Sequence, residues 1–420
     1  MNSLSQDAKV ILLLCGYLGS GEEFKPLGLR EYNQVARWLR TKELRPADLL
    51  SPDYLPALAD DLKISAPRLE ALMKRGVKLG FAVEKWNQSG IWVLCRSDSD
   101  YPSRYRKHLK EQAPPVLFVV GSRSLLPGGG LAIVGSRNVD QEGETFARET
   151  AARCARSGMP VISGGARGVD LAAMKGALAA GGVVIGVLAD QLLRKSVDST
   201  FRDSLADGRL LLISPYNPES RFTVGNAMGR NKLIYALADY GLVVCAAHGK
   251  GGTWAGAVEE LKRDSGRPVF VRVSENAPPG NRKLQNQGAI PFPEISAGNL
   301  TAELLQQAAQ SQRSEAWEEE LPLFRRDSAA RRKQEPVLVG ETAADFSGKA
   351  TADDPEEVTG SASIYESVLP VIINTLDQPM SAADLAGRLD VAKGQLDTWL
   401  KRAAGEGRIR KLTRPVRYVQ

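Results

Sequence analysis

Histidine and cysteine are scarce in this 420-residue chain. His108 and His248 are its only histidines, and Cys15, Cys95, Cys154 and Cys245 its only cysteines. The cysteines are scattered and form no CxxC pair, which argues against a zinc cluster and a disulfide framework alike. They read as ordinary buried thiols of a reducing cytosol. Long apolar runs are also missing. Ile11 to Cys15 is short and follows an aspartate and a lysine. It has neither the length to span a bilayer nor the layout of a signal peptide. The expectation is a cytoplasmic protein with no membrane contact, no metal and no cofactor. Neither sign of charge dominates: 55 Lys and Arg face 49 Asp and Glu, for a net charge of +6. That is a mild lean toward polyanionic partners. What the chain does have is length for two or three domains, and 43% hydrophobic residues to build their cores.

The most informative stretch runs from Leu131 to Asp170. An apolar strand, Leu131 to Val134, enters a turn at Gly135-Ser136-Arg137. A second, ending at Val161-Ile162, enters Ser163-Gly164-Gly165-Ala166-Arg167-Gly168. Each turn lies where a strand ends and a helix begins. Glycine admits close backbone approach, and the helix start offers unpaired N–H groups to an anion. Arg137 and Arg167 add guanidinium groups able to fork onto phosphate oxygens. Asp170 opens the second helix, where a carboxylate suits the positive helix end and orders the loop. Two similar elements follow: Arg230-Asn231-Lys232, and Lys250-Gly251-Gly252-Thr253 after the strand Leu242 to Cys245. Backbone N–H groups and a hydroxyl at a helix start again suit phosphate.

Around these loops, near-continuous apolar strands alternate with helix-length segments. The strands are placed at 131–134, 160–162, 183–188, 210–213, 242–245 and 269–273. This predicts an α/β fold, a Rossmann-like doubly wound parallel sheet. Residues 1–90 carry apolar clusters at helical spacing, such as Tyr32-Val35-Ala36-Leu39, and predict a helical domain. The sheet domain is expected over 91–296. Residues 297–360 turn polar and lose periodicity after Leu305, which predicts a flexible linker. Residues 361–420 regain pattern. A helix capped by Ser381, a second over Gln395 to Ala404, and strands at 408–412 and 416–419 resemble a winged helix. Lys401, Arg402, Arg408, Arg410, Lys411, Arg414 and Arg417 make its end basic, and such modules dock DNA or protein.

IVGSRN followed by SGGARGVD resembles the DNA-processing protein A family (DprA, also called Smf), within the DprA-like and LOG-like Rossmann group. Further parallels are Tyr101-Pro102, the segment from Pro114 to Gly121, Gly266-Arg267-Pro268-Val269-Phe270, and Gly280-Asn281-Arg282 with Gln287-Gly288-Ala289. Thr253 stands in the serine place of the family's fourth loop. The resemblance covers roughly residues 91–292. It implies a sterile-alpha-motif-like N-terminal domain and single-stranded DNA held by the four loops. It further implies loading of a RecA-type recombinase in natural transformation, a homodimer, and no catalytic residue. Departures accompany it. Met174 replaces the family's histidine, Ala246 or Ala247 its acidic residue, and the gap from Phe222 to Arg230 is longer. A nucleotide-sensing module of a defence system is one alternative. The other is a LOG-type nucleoside monophosphate phosphoribohydrolase, suggested by Gly251-Gly252-Thr253 ahead of Glu259-Glu260. Those glutamates stand nearly two helical turns beyond the loop, which disfavours catalysis.

Overall fold

The computed structural model describes residues 4–19, 23–263, 266–294, 300–320, 364–376, 378–389, 393–413 and 416–419. The chain divides into two compact units, residues 1–333 and 334–420. Among the described residues no helix is long and apolar enough to cross a membrane.

The first unit opens with helices α1 (Gln6–Cys15), α2 (Leu29–Thr41), α3 (Tyr54–Leu62), α4 (Ala66–Met73) and α5 (Gly76–Gln88). Val10, Leu14, Val35, Leu39, Leu58, Leu69 and Leu72 give them a core of their own. The other side of α1, with Ala8, Ile11 and Leu12, packs instead beneath the sheet beside Val116 and Phe118. An all-apolar second half lets one short helix serve two cores.

The sheet contains β1 (Trp92–Cys95), β2 (Val116–Gly121), β3 (Leu131–Gly135), β4 (Val161–Ser163), β5 (Val184–Val187), β6 (Leu210–Ser214), β7 (Tyr240–Cys245), β8 (Val269–Val271) and β9 (Ile290–Pro291). Their spatial order is β1-β2-β6-β5-β4-β3-β7-β8-β9. From β6 to β9 all neighbours are parallel, while β1 and β2 add an antiparallel edge. Leu131, Val161, Val184 and Leu210 lie in one cross-strand row. Successive residues of a strand point to opposite faces. Hence Leu131 and Ile133 join α7 (Gln141–Arg156) and α8 (Val169–Ala179) on one face. Ala132 and Val134 meet α6 (Ser103–Leu109), α11 (Val224–Leu237), α12 (Gly251–Leu261) and α13 (Pro279–Gln285) on the other. Two short helices, α9 (Leu192–Ser196) and α10 (Ser199–Ala206), link β5 to β6. Burial on both faces is what the unbroken apolar strands require.

The chain leaves β3 for β4, β5 and β6 on one side, then returns to place β7 on the other side of β3. The sheet therefore has a topological switch point between β3 and β7, where a crevice opens at the carboxyl ends of the strands.

Part of the segment expected to be a linker is helical. Residues 302–320 form α14 (Ala302–Glu320), whose Leu305 and Ala309 are buried with Leu300 in the sheet's core. Beyond Ala309 the sequence of this helix is mostly polar. Residues 321–360 lie outside the described residues. In the second unit, α15 (Ile364–Thr375), α16 (Ala382–Leu389) and α17 (Lys393–Gly405) precede a hairpin of β10 (Arg410–Thr413) and β11 (Val416–Val419). Ile372, Leu385, Leu396, Leu400 and Tyr418 form its core. The order of helices and hairpin strands is the one expected there; the turn at 390–392 and the hairpin tip at 414–415 lie outside the described residues. Arg414, whose basic character was noted in the sequence, lies outside the described residues.

Candidate nucleic-acid interface

Two adjacent clefts lie at the carboxyl ends of the strands, the first of them over the switch point. The first, about 310 Å³, is walled by Gly135, Ser136 and Arg137 after β3 and by Lys250, Gly251, Gly252 and Thr253 after β7; Phe222 and α11 close it. The second, about 340 Å³, lies over the ends of β4 and β5 and is lined by Gly164, Gly165, Arg167, Leu188, Asp190, Gln191 and Lys195. Arg137, Ala166, Phe222 and Arg230 border both.

The loops are held in place from below by hydrogen bonds. Ser136 N–H donates to the Cys245 carbonyl at 2.9 Å, pinning the β3 loop to β7. Asp170, buried at the first turn of α8, accepts from Gly135 N–H at 3.3 Å. Burial pushes its carboxyl above the usual range, while Arg230 and the N–H groups of Gly135, Ala166 and Gly164 pull it back down. So the carboxylate gathers the backbone of two glycine loops around itself. Gly168, at φ +85°, precedes α8; a side chain there would meet the Ser136 carbonyl at 2.5 Å. At Gly164 a Cβ would run into the Arg230 guanidinium. These two glycines allow the loops to pack against each other and against Arg230. After β7, Asn281 is buried and accepts from Ala246 N–H at 3.0 Å. Its amide donates to the carbonyls of Val244 and Arg272. Gly280 and Asn281, legible only as a family pattern, thus staple the end of β7.

Most of the anticipated residues meet here. Gly135, Ser136, Arg137, Asp170, Arg230, Asn231, Lys250, Gly251, Gly252 and Thr253 border the first cleft; Gly164, Gly165 and Arg167 border the second. Arg137, Arg167 and Lys250 are exposed, and none forms an ion pair among the described residues. Arg137 lies over the Phe222 ring, 4.1 Å from its centroid. Arg167 donates to Asn138 Oδ1 at 2.7 Å.

Three of the anticipated residues stand apart from the clefts. Ser163 is the last residue of β4 and is wholly buried; its hydroxyl donates to the Ile133 carbonyl at 2.7 Å, so it braces the sheet. Gly168 packs under the β3 loop and borders neither cleft. Lys232 borders neither and reaches Gln112 Oε1 at 3.4 Å. The cause for Lys232 is helix geometry. Arg230, Asn231 and Lys232 sit well inside α11, not at its start, and consecutive helical residues point about 100° apart. Asn231 faces the first cleft, where its amide donates to the Gly252 carbonyl at 2.8 Å. Arg230 points inward. It is 4% exposed, donates from Nη1 to the Val187 carbonyl at 2.8 Å and stands 3.7 Å from Asp170 Oδ2. It is first a structural counter-charge at the cleft's floor.

Sequence reasoning overlooked Val224, Ala227 and Met228 on the first cleft, and Gln191 and Lys195 on the second. Val224 and Met228 share the i, i+4 spacing of one helix face, a signal present in the sequence.

The glutamates of the phosphoribohydrolase alternative are engaged elsewhere. Glu259 pairs with Arg263 at 2.8 Å. Glu260 is buried beside His108 at 2.9 Å and accepts from Arg267 N–H at 2.7 Å. Neither borders a cleft. Glu260→Gln is expected to lower stability by about 2 kcal/mol through weakened buried hydrogen bonds. Ligand affinity at the clefts, measured on the folded variant, should be unchanged; a lost affinity with intact stability would return Glu260 to the site.

Known proteins share this architecture. Over 247 residues the chain is 29% identical to the DNA processing protein DprA of Bacillus subtilis (strain 168), covering 57% of this chain and 81% of that one. Over 182 residues it is 32% identical to protein Smf of Escherichia coli (strain K12), covering 42% of this chain and 48% of that one. It thus spans about half the length of the Escherichia coli relative. The crystal structure of DNA processing protein A from Streptococcus pneumoniae has the same fold, with a TM-score of 0.52 at 20% identity over 69% of this chain and 94% of that one. The pattern of one family matches residues 92–303, from β1 to the first turn of α14, and on that match the chain belongs to the DNA recombination-mediator protein A family.

Proposed function

We propose that this protein binds single-stranded DNA along the two clefts and serves as a recombination mediator. Membership of the family supports a DNA-processing role. The observation that carries the reading is the set Arg137, Arg167 and Lys250: exposed cations without ion-pair partners among the described residues, beside backbone N–H groups at the starts of helices. Such groups match the phosphates of a flexible strand. Each cleft is the size of a small-molecule site. The finer reading rests on family membership alone. It adds a RecA-type recombinase as recipient of the strand, a homodimer as the working form, the cytoplasm as location and natural transformation as host process.

Filter binding of an oligonucleotide over a salt series tests the core of this reading. Three neutralised phosphates give a log–log slope of about −2 for a single strand. A flat response, or equal affinity for duplex of the same length, would reject it. The recombinase step is checked by assembly of a RecA-type filament on single strands already covered by a single-strand-binding protein. Addition of this protein should speed assembly; an unchanged rate removes that part.

A further inference from the structure

The second cleft, over the ends of β4 and β5, holds a charge that phosphate binding does not explain. Asp190 lines it, half-buried just beyond β5, and its carboxylate forms no hydrogen bond or ion pair among the described residues. Around it stand cations and donors: Arg167, Gln191, Lys195 and the backbone of Gly164 and Gly165. A carboxylate in that company repels phosphate and weakens backbone binding. The loop that carries it is nevertheless held fast. Leu188 N–H donates to the Ile213 carbonyl at 2.7 Å, Gln191 N–H to the Ser220 carbonyl at 2.9 Å, and Leu193 N–H to the Pro218 carbonyl at 3.0 Å. Gln191 itself lies in the left-handed region, at φ +50°. A residue with a side chain is strained there by about 1 kcal/mol, and such strain persists where the surroundings impose it, often at ligand clamps.

A free carboxylate selects a ligand by the donors it can accept from. Among the four DNA bases only guanine carries two adjacent donors on its pairing edge, N1–H and the N2 amine, and they match the two carboxylate oxygens. Adenine and cytosine offer one donor there beside an acceptor, and thymine offers one between two acceptors. An acceptor set against a carboxylate is repelled, so the wrong bases are disfavoured as well as less well held. We infer that Asp190 reads a guanine base in the second cleft. N1–H and the N2 amine donate to its carboxylate, O6 faces the donors of Gln191 and Lys195, and the attached phosphate faces Arg167. This rests on the single-strand reading above and deepens it: the strand is held by its backbone and read at one base. A guanine paired in a duplex has this edge occupied, so the site takes its base from an unpaired strand or from a free nucleotide.

The test measures binding of the full chain to three strands of equal length: oligothymidylate, the same strand with one central guanine, and that strand with hypoxanthine, which lacks only the N2 amine. Deoxyguanosine and thymidine monophosphates are the free-nucleotide arm. The native chain should favour the guanine strand over the hypoxanthine strand by about tenfold, the effect of one charge-assisted hydrogen bond, and thymine should do no better than hypoxanthine. Asp190→Asn should bind all three strands alike, at an affinity no lower than the native chain has for oligothymidylate. Its thermal midpoint should stay near the native value, because the carboxylate has no partner to lose. A guanine preference seen with the monophosphates as strongly as with the strands assigns the site to free nucleotides, and one seen only with strands assigns it to DNA; either supports the guanine site. Equal binding of the three strands by the native chain overturns it and leaves the single-strand reading standing. A guanine preference that survives in Asp190→Asn also overturns it. Preference among monophosphates with no strand bound keeps the guanine site and removes the single-strand reading. If neither strand nor nucleotide binds, both fall.

Discussion

Arg137→Ala combined with Arg167→Ala is expected to weaken single-strand binding about 100-fold while leaving the thermal midpoint near the native value. A charge-assisted hydrogen bond to phosphate contributes about 1.5 kcal/mol, roughly tenfold per arginine. The two side chains stand on different loops, after β3 and after β4, so their losses should combine nearly additively unless one phosphate bridges them. The salt slope should flatten by about 1.4, the share of two single-strand phosphates. Stability should hold because neither guanidinium is buried. Arg137 covers the Phe222 ring and Arg167 bonds only the exposed Asn138. Exposed contacts of this kind contribute little to folding. Calorimetry of the variant with its binding isotherm separates the outcomes: a large drop in midpoint would make either arginine a clamp and reject its phosphate role.

Arg230→Ala should have the opposite signature. Its guanidinium is buried against Asp170 and the end of β5. Burial draws its pKa down and Asp170 raises it again, yet guanidinium titrates so high that it stays a cation. Removing it leaves the Asp170 carboxylate buried without its counter-charge, at a cost of about 4 kcal/mol. Asp170 also gathers the backbone of the β3 and β4 loops, so their order should fall with it and binding should weaken indirectly. The partner change gives the check. In Arg230→Met/Asp170→Asn no lone charge remains, and stability should recover by about 2 kcal/mol relative to Arg230→Ala. Urea titration measures both. Native stability in Arg230→Ala, with only affinity lost, would make Arg230 a direct ligand contact instead.

The strands were legible because parallel strands covered on both faces are nearly continuous apolar text; β3, β5, β6 and β7 all begin and end within a few residues of where the apolar runs place them. The glycine loops were legible because a turn from strand to helix at a crowded floor leaves few residue choices. The alignment of Gly135, Gly164 and Gly251 near one crevice followed from their common position after strands. The extent of α14 was less legible. α14 continues to Glu320 in mostly polar text, and such text carries no periodic signal to read.

Local text does not show which of three neighbours on a helix meets the ligand. Arg230, Asn231 and Lys232 look alike as a cationic cluster. The fold sends the first to Asp170, the second to the cleft and the third toward Gln112. That division depends on the rotation of α11 about its axis, and long-range packing sets the rotation: Leu233, Ile234 and Leu237 must face the sheet. The same rotation brings Val224 and Met228, unremarkable in the text, to the mouth of the site. Ser163 is turned away from the clefts for a related reason. One residue of strand register turns a hydroxyl from the loop into the sheet, toward Ile133. Composition, periodicity and turn chemistry sufficed for the sheet, its helices and the neighbourhood of the site. Strand order and helix rotation, which arise only when distant apolar faces compete for one core, decided which side chains line it.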